Sequence, residues 1–270
     1  MRELPEVETI RRDLASEVIG RRIDRVEVTG ARTVRRLSSA DELVVASVDR
    51  SVVGVDRRGK HLLVRLDDGG TVVVHLRMSG QVFLVDSDEA RRKHTHVVFS
   101  LDDGRDVRFV DPRTFGEVYP SDGEPPTAGI DPVEDDFTID DFAAVLARRR
   151  RRLKDMLMDQ RAIAGIGNIY SDEILWTSRL AHDRVAATLR RPTIVRLHDA
   201  IVSVLGDAIE ARGSSLADEQ YRDLYGNVGS YAMRHQVYGR EGLPCARCGG
   251  AITRIKFGGR SHFRCRRCQR

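Results

Sequence analysis

Cys245-Ala-Arg-Cys248 and Cys265-Arg-Arg-Cys268 give the spacing Cys-x2-Cys-x16-Cys-x2-Cys, and these are the only cysteines among 270 residues. Paired thiolates at the two ends of a short hairpin complete a closed tetrahedral zinc shell with no position left for a substrate, so the implied ion is a single structural zinc. The segment it would hold together carries Arg247, Arg254, Lys256, Arg260, Arg264, Arg266, Arg267 and Arg270. A metal-anchored hairpin this basic points to nucleic acid. The competing reading, two disulfides in an exported chain, fits poorly, because no signal-peptide pattern opens the sequence and Cys-x2-Cys pairs rarely build an export framework.

Working outward, the total charge says less than its distribution. Lys plus Arg number 45 against 41 Asp plus Glu, a formal net charge of +4 with a pI near 9.0. Acidic residues crowd between Asp122 and Asp141, whereas Arg148 to Arg152 is an unbroken arginine run followed by Lys154. That run reads either as a solvated helix face or, beside a basic zinc hairpin, as a phosphate-binding surface. No apolar stretch approaches the roughly 18 residues of a membrane span, so a soluble cytoplasmic protein is expected.

The chain divides near residue 135. Val7, Ile10, Leu14 and Val18 have helical spacing, with Pro5 acceptable in the first turn and Gly20 a plausible stop. Short runs rich in Val, Leu and Ile follow at residues 23–28, 51–56, 61–66, 71–76, 82–85, 96–101 and 107–110, separated by turn residues such as Asp67-Asp-Gly-Gly70 and Asp102-Asp-Gly104. They predict a two-layer antiparallel β domain with a leading helix. A turn-rich linker then precedes helical patterns at 139–149, 169–178 and 192–211. The expected organisation is α+β and multidomain: a β domain over 1–120, a linker over 121–137, a helical domain over 138–235 and a zinc finger over 236–270.

Glu3-Leu-Pro-Glu-Val-Glu-Thr9, Gly165-Ile-Gly-Asn-Ile-Tyr170 and the zinc hairpin together resemble the bacterial formamidopyrimidine-DNA glycosylases over essentially the whole chain. Arg57-Arg-Gly-Lys60, His75-Leu-Arg-Met-Ser-Gly80, Asp111-Pro-Arg-Thr-Phe-Gly116 and Val237-Tyr-Gly-Arg240 match in the family's order. The resemblance implies an N-terminal β-sandwich, a helix, two turns, helix motif and a zinc finger. It also implies an activity: removal of oxidised purines such as 8-oxoguanine from duplex DNA, then strand cleavage by β- and δ-elimination through a Schiff base. Duplex DNA with such lesions or abasic sites is the expected partner. A monomer associated with the bacterial nucleoid is the expected state.

Roles carry over residue by residue. Glu3 would protonate the deoxyribose oxygen, with Glu6 supporting it; Lys60 would meet the phosphate and lesion region and serve β-elimination. Arg260, behind Gly258-Gly259, would clamp the phosphates flanking the lesion and assist δ-elimination. Extruding a base leaves a hole, which Met78, Phe115 and Arg113 would fill: Met78 in the vacated space, Phe115 as a wedge, Arg113 bonded to the orphaned base. Alone, Met78 and Phe115 would read as core. Their glycine-containing turns favour exposed tips instead. His94, Arg150, Lys154 and Asn168 are candidate backbone contacts, and the stretch from Asp218 to Tyr231 matches a mobile loop over the extruded base.

Two positions depart from the family pattern. Thr114 stands where a second Arg is common. More important, residue 2 is Arg where the family has a proline whose amine, freed by removal of Met1, attacks the sugar C1′. A guanidinium is protonated at any working pH and cannot substitute. The terminal amine then belongs to Met1, about 3.8 Å away in chain terms, whereas a misplacement of about 1 Å can cost roughly a hundredfold. Three functions fit: a glycosylase and lyase using Met1, a lesion-binding relative that lost its nucleophile, and a zinc-ribbon protein unrelated to repair. The Glu3 segment, Lys60 and the Met78, Arg113, Phe115 set oppose the last.

Overall fold

Helix α1 (Leu4–Val18) buries Val7, Ile10, Leu14 and Val18 on one face. Its apolar stripe packs against strands β1 (Ile23–Val28), β2 (Val52–Arg58), β3 (His61–Leu66), β4 (Thr71–His75), β5 (Gln81–Asp86), β6 (Thr95–Leu101), β7 (Arg105–Val110) and β8 (Glu117–Ser121), which form two antiparallel sheets ordered β1-β6-β7-β5 and β2-β3-β4-β8. The core between them takes Val26, Val82, Val97 and Phe109 from one sheet and Val55, Leu62, Val72 and Val118 from the other. This is the sandwich the alternating runs predict. A short helix, α2 (Asp41–Ser47), and β8 have no counterpart in the sequence reading. Pro120 hides β8: proline is confined to sheet edges, and β8 pairs only with β4 at the edge.

The structure, a computed structural model, describes residues 2–123, 129–216 and 221–270. Met1, the middle of the expected linker and part of the expected mobile loop lie outside the described residues. Contacts divide the chain into two units, Met1–Pro126 with Ala211–Ser230, and Thr127–Glu210 with Tyr231–Arg270. In the first, Ala211–Ser230 rejoins the sandwich: Arg212 pairs with Asp13 and, at 2.6 Å, with Asp223, and Tyr221 and Leu224 enter its core.

The second unit holds α3 (Ile139–Ala147), capped by Thr138, whose Oγ1 accepts the Asp141 N–H at 3.1 Å. It continues through α4 (Leu153–Leu157), α5 (Asn168–Thr177) and α6 (Arg191–Glu210) to the hairpin β9 (Thr253–Phe257) and β10 (Arg260–Arg264). The short α4 is masked in the sequence by the arginine run before it. Residues expected as the end of the linker are already packed here, since Ile130 pairs with Ile163 and Phe137 rests on Phe142 and His198. Among the described residues no helix is long and apolar enough to cross a membrane.

Candidate active site and zinc hairpin

In the first unit the acidic pair sits at the head of α1. Glu3 is its N-cap, and Glu6 reaches back to accept the Glu3 N–H at 2.8 Å, forming a capping box. The other Glu6 oxygen accepts the Ser214 N–H at 2.8 Å. Gly213 permits that approach: its φ is +81°, and a Cβ there would lie 2.8 Å from Glu6 Oε1. Both carboxylates are buried, as is Lys60, which follows Gly59 in a two-residue turn between β2 and β3. Arg57 ties that turn to α1: fully buried, it bonds Glu8 at 3.1 Å and the Gly59 carbonyl at 3.0 Å. Burial pushes the Glu8 carboxyl up, but hydrogen bonds from Arg11 and Arg12 and the Arg57 charge outweigh it and hold it below its usual range. Glu8 was not singled out in the sequence, where it looks like one more acidic residue of an exposed helix face.

Arg2 is buried under the next loop. Its N–H donates to Arg77 O at 2.9 Å, its Nε donates to Gly80 O at 3.3 Å, and its guanidinium lies 5.4 Å from the centre of the Tyr221 ring. Residue 2 is thus stitched to both ends of the Met78 turn. Met78 is 36% exposed, Arg113 is exposed and Phe115 half-buried, with the Arg113 guanidinium 4.9 Å from the Phe115 ring centre. Arg77, Thr114 and the exposed His94 have positive φ (54°, 53° and 67°), conformations that cost a non-glycine residue about 1–3 kcal/mol and gather at functional loops. All these groups lie within one unit.

Beneath them, His61 and His75 meet edge to face at 4.4 Å. Burial depresses both, His61 to about 4 and His75 well below its ordinary value, so the pair is neutral at pH 7.

In the second unit the four cysteine sulfurs lie within 4.8 Å of one another, with Cys245–Cys268 at 3.9 Å and Cys248–Cys265 at 3.4 Å. Zinc–sulfur bonds of about 2.3 Å at tetrahedral angles require edges of roughly 3.8 Å, so the donor set fits one zinc ion. Trp176 Nε1 donates to Cys245 Sγ at 3.4 Å, and Arg247 stacks on the Trp176 ring at 3.6 Å. Glu173 accepts the N–H groups of Gln236, Val237 and Tyr238 at 2.8, 3.0 and 2.8 Å, anchoring the segment that leads into the hairpin. Burial raises its carboxyl to about 7 despite those three donors. Asn168, at the first turn of α5, donates to Ser261 O at 3.1 Å, across the hairpin tip where Gly258 and Gly259 both have positive φ.

Arg260, at that tip, lines one open cleft with Arg150, Arg151 and Arg152. Arg151 is partly neutralised by Asp159 at 3.4 Å. Lys154 differs from its expectation as a backbone contact. It is 2% exposed, its Nζ lies 2.5 Å from Asp172 Oδ1, and the same carboxylate receives His262 and, at 2.9 Å, the Phe263 N–H. The pair holds α4 and α5 to β10 because an ammonium in the interior requires a carboxylate beside it.

This arrangement matches known proteins along its length. Residues 1–118 match the formamidopyrimidine-DNA glycosylase N-terminal domain, residues 128–220 its H2TH domain, and residues 242–270 a zinc finger found in FPG and IleRS. The chain belongs to the formamidopyrimidine-DNA glycosylase family. The formamidopyrimidine-DNA glycosylase of Herpetosiphon aurantiacus is 43% identical, with all of both chains covered. Among solved structures, the MutM (Fpg) protein of Thermus thermophilus is 37% identical with a TM-score of 0.88, covering 99% of this chain and 98% of that one. Lactococcus lactis Fpg bound to DNA containing an abasic site is 34% identical with a TM-score of 0.90, covering 99% of each; a mutant of it was captured with DNA containing Fapy-dG.

Proposed function

We propose that this chain is a bifunctional base-excision-repair enzyme: a glycosylase that removes oxidised purines from duplex DNA and a lyase that then cleaves at the abasic site by β,δ-elimination. The observation that carries the reading is the assembly of Glu3, Glu6 and Lys60 in one unit, buried and joined through Glu8, Arg57 and Gly59. An amine attacks C1′, the glycosidic bond breaks with the base leaving, Glu3 protonates the ring oxygen, and the opened sugar is held as an imine. Lys60 and Arg260 serve the two eliminations, and water finally hydrolyses the imine. Met1, outside the described residues, supplies the amine when it is retained. Met78, Arg113 and Phe115 fill the extruded base's place. His94, Arg150 and Asn168 contact the DNA backbone, while Lys154, paired with Asp172, braces α4 against α5 and β10 from within the protein. The protein acts as a monomer in the bacterial cytoplasm, held to the nucleoid through DNA, with the helical domain starting by about residue 130 rather than 138, residues 211–230 belonging with the β domain, and the zinc finger dividing off near 236.

One observation favours a second reading. Residue 2 is an arginine whose N–H and side chain are bonded into the Met78 turn, so the proline nucleophile expected from the family has no direct counterpart. Borohydride trapping of mass-checked protein on an 8-oxoguanine:cytosine duplex separates the two. A covalent adduct mapping to Met1, abolished by Glu3→Gln, supports the enzyme. Tight lesion binding without an adduct, gained only by Arg2→Pro, makes the chain a lesion-binding relative.

A further inference from the structure

Asp111 stands where three loops of the sandwich unit meet, and it is 0% exposed. Its Oδ1 accepts the Ser79 hydroxyl at 2.5 Å and the Arg113 N–H at 3.1 Å; its Oδ2 accepts the Gly116 N–H at 2.7 Å. Its own N–H donates to His94 O at 3.0 Å, and its carbonyl accepts the Thr114 N–H at 3.2 Å and faces His96 Nε2 at 2.9 Å. Ser79 directly follows Met78 in the β4–β5 loop. Arg113 and Gly116 bracket Phe115 in the β7–β8 loop. Gly116 leaves the room this requires, since a Cβ there would lie 2.4 Å from Phe109 Cζ and 3.1 Å from Asp111 Oδ2.

We infer that Asp111 is a positioning residue for base extrusion, locking the Met78 turn and the Arg113–Phe115 turn into one rigid unit so that wedge, filler and orphan-base reader enter the stack together. The inference rests on the roles proposed above for those three side chains. Only a carboxylate satisfies the geometry. Its two oxygens accept on both sides at once, whereas an amide of equal volume must turn its NH2 toward either the Gly116 N–H or the Arg113 N–H, so one backbone donor of the Arg113–Phe115 turn loses its acceptor and the Ser79 bond loses its charge. The left-handed backbone of Arg77 and Thr114, the residues just before Met78 and Phe115, persists only while such ties over-determine it. Ser79→Ala removes the bond from the Met78 side alone.

The test compares wild type, Asp111→Asn and Ser79→Ala in two assays, with zinc content and melting temperature confirming the fold. The first follows the fluorescence of 2-aminopurine opposite a lesion in duplex DNA, which reports wedge insertion on binding and needs no chemistry. The second measures single-turnover excision from a normal duplex and from one in which the lesion lies in a pre-opened bulge. Losing a charge-assisted bond at a buried carboxylate corresponds to roughly a ten- to hundredfold loss. Asp111→Asn should therefore lose that factor in insertion rate and in duplex excision, Ser79→Ala a smaller one, and bulge excision should change less than about twofold for either. Parallel losses on duplex and bulge, or unchanged insertion in both variants, overturn the inference. If wild type inserts its wedge but excises nothing, the enzymatic reading fails while the insertion assay still decides the role of Asp111.

Discussion

Asp172→Asn tests how the second unit is held together, and it follows from one carboxylate. Asp172 is 0% exposed and receives Lys154 Nζ at 2.5 Å, the His262 ring and the Phe263 N–H at 2.9 Å. The asparagine keeps the volume but removes the charge, and its NH2 must then face either an ammonium or a backbone N–H, both donors. Breaking one side of a buried ion pair costs about 3–5 kcal/mol, because the remaining charge is left without compensation. Lys154→Met should cost a similar amount by stranding the carboxylate. Combining the two removes the stranded charge, so the double variant should be more stable than the sum of the single losses by about 2–3 kcal/mol. The probe is zinc release to a chromophoric chelator during denaturant titration, which reads the hairpin itself even where the two units unfold separately. The midpoint should fall in each single variant and recover in the double. Single losses under about 1 kcal/mol that simply add would refute the buried-pair account. If Lys154 instead meets a phosphate, Lys154→Met leaves zinc release unchanged and lowers the slope of log affinity against log salt by about 0.9.

Gly213→Ala should disable the acidic pair without touching it: the new Cβ would fall 2.8 Å from Glu6 Oε1 at a φ of +81°, and a loss of at least tenfold in lesion excision with retained zinc is expected in single-turnover assays. Acid should weaken the fold between pH 6.5 and 4. Burial holds His61 and His235 near 4, and His182 likewise with help from His262, so the unfolded chain binds the extra protons first and stability falls as pH falls below about 6.5. Glu173, raised to about 7, acts in the opposite sense over pH 7 to 4.5 and offsets about one histidine. Removing one contributor with His235→Gln should flatten the slope of unfolding free energy against pH by about 1.4 kcal/mol per unit. An unchanged slope would show that His235 is not the neutral buried group described here.

Residues that carry chemistry through their own type were legible in the sequence; residues that hold them were not. Four cysteines at the right spacing announce a zinc shell whatever surrounds them, and the alternating runs define a sandwich because a half-buried strand has period two. Asp111, Asp172 and Glu8 belong to the second kind. Each is an acidic residue in a chain with 41 of them, and each acts by accepting donors from other segments of the chain: Ser79 for Asp111, Lys154 and Phe263 for Asp172, Arg57 for Glu8. A sequence displays a carboxylate but not what it accepts, and burial is what distinguishes a structural acceptor from a solvated charge. The same limit explains Lys154. Read beside five arginines it looks like part of a phosphate surface, yet it lies on the inner side of the short α4, where a carboxylate meets it. Arg2 shows the converse. The sequence alone exposes the missing proline, while only the structure shows that the replacement is bonded into the turn bearing Met78. Arg2→Pro therefore changes several things at once: it supplies a nucleophile once Met1 is removed, it loses the Nε bond to Gly80 and the contact with Tyr221, and while Met1 is retained it also loses the N–H donated to Arg77 O. An Arg2→Ala control, which loses the same side-chain bond without supplying proline's secondary amine, is needed to separate a gain in imine formation from a loosened Met78 turn.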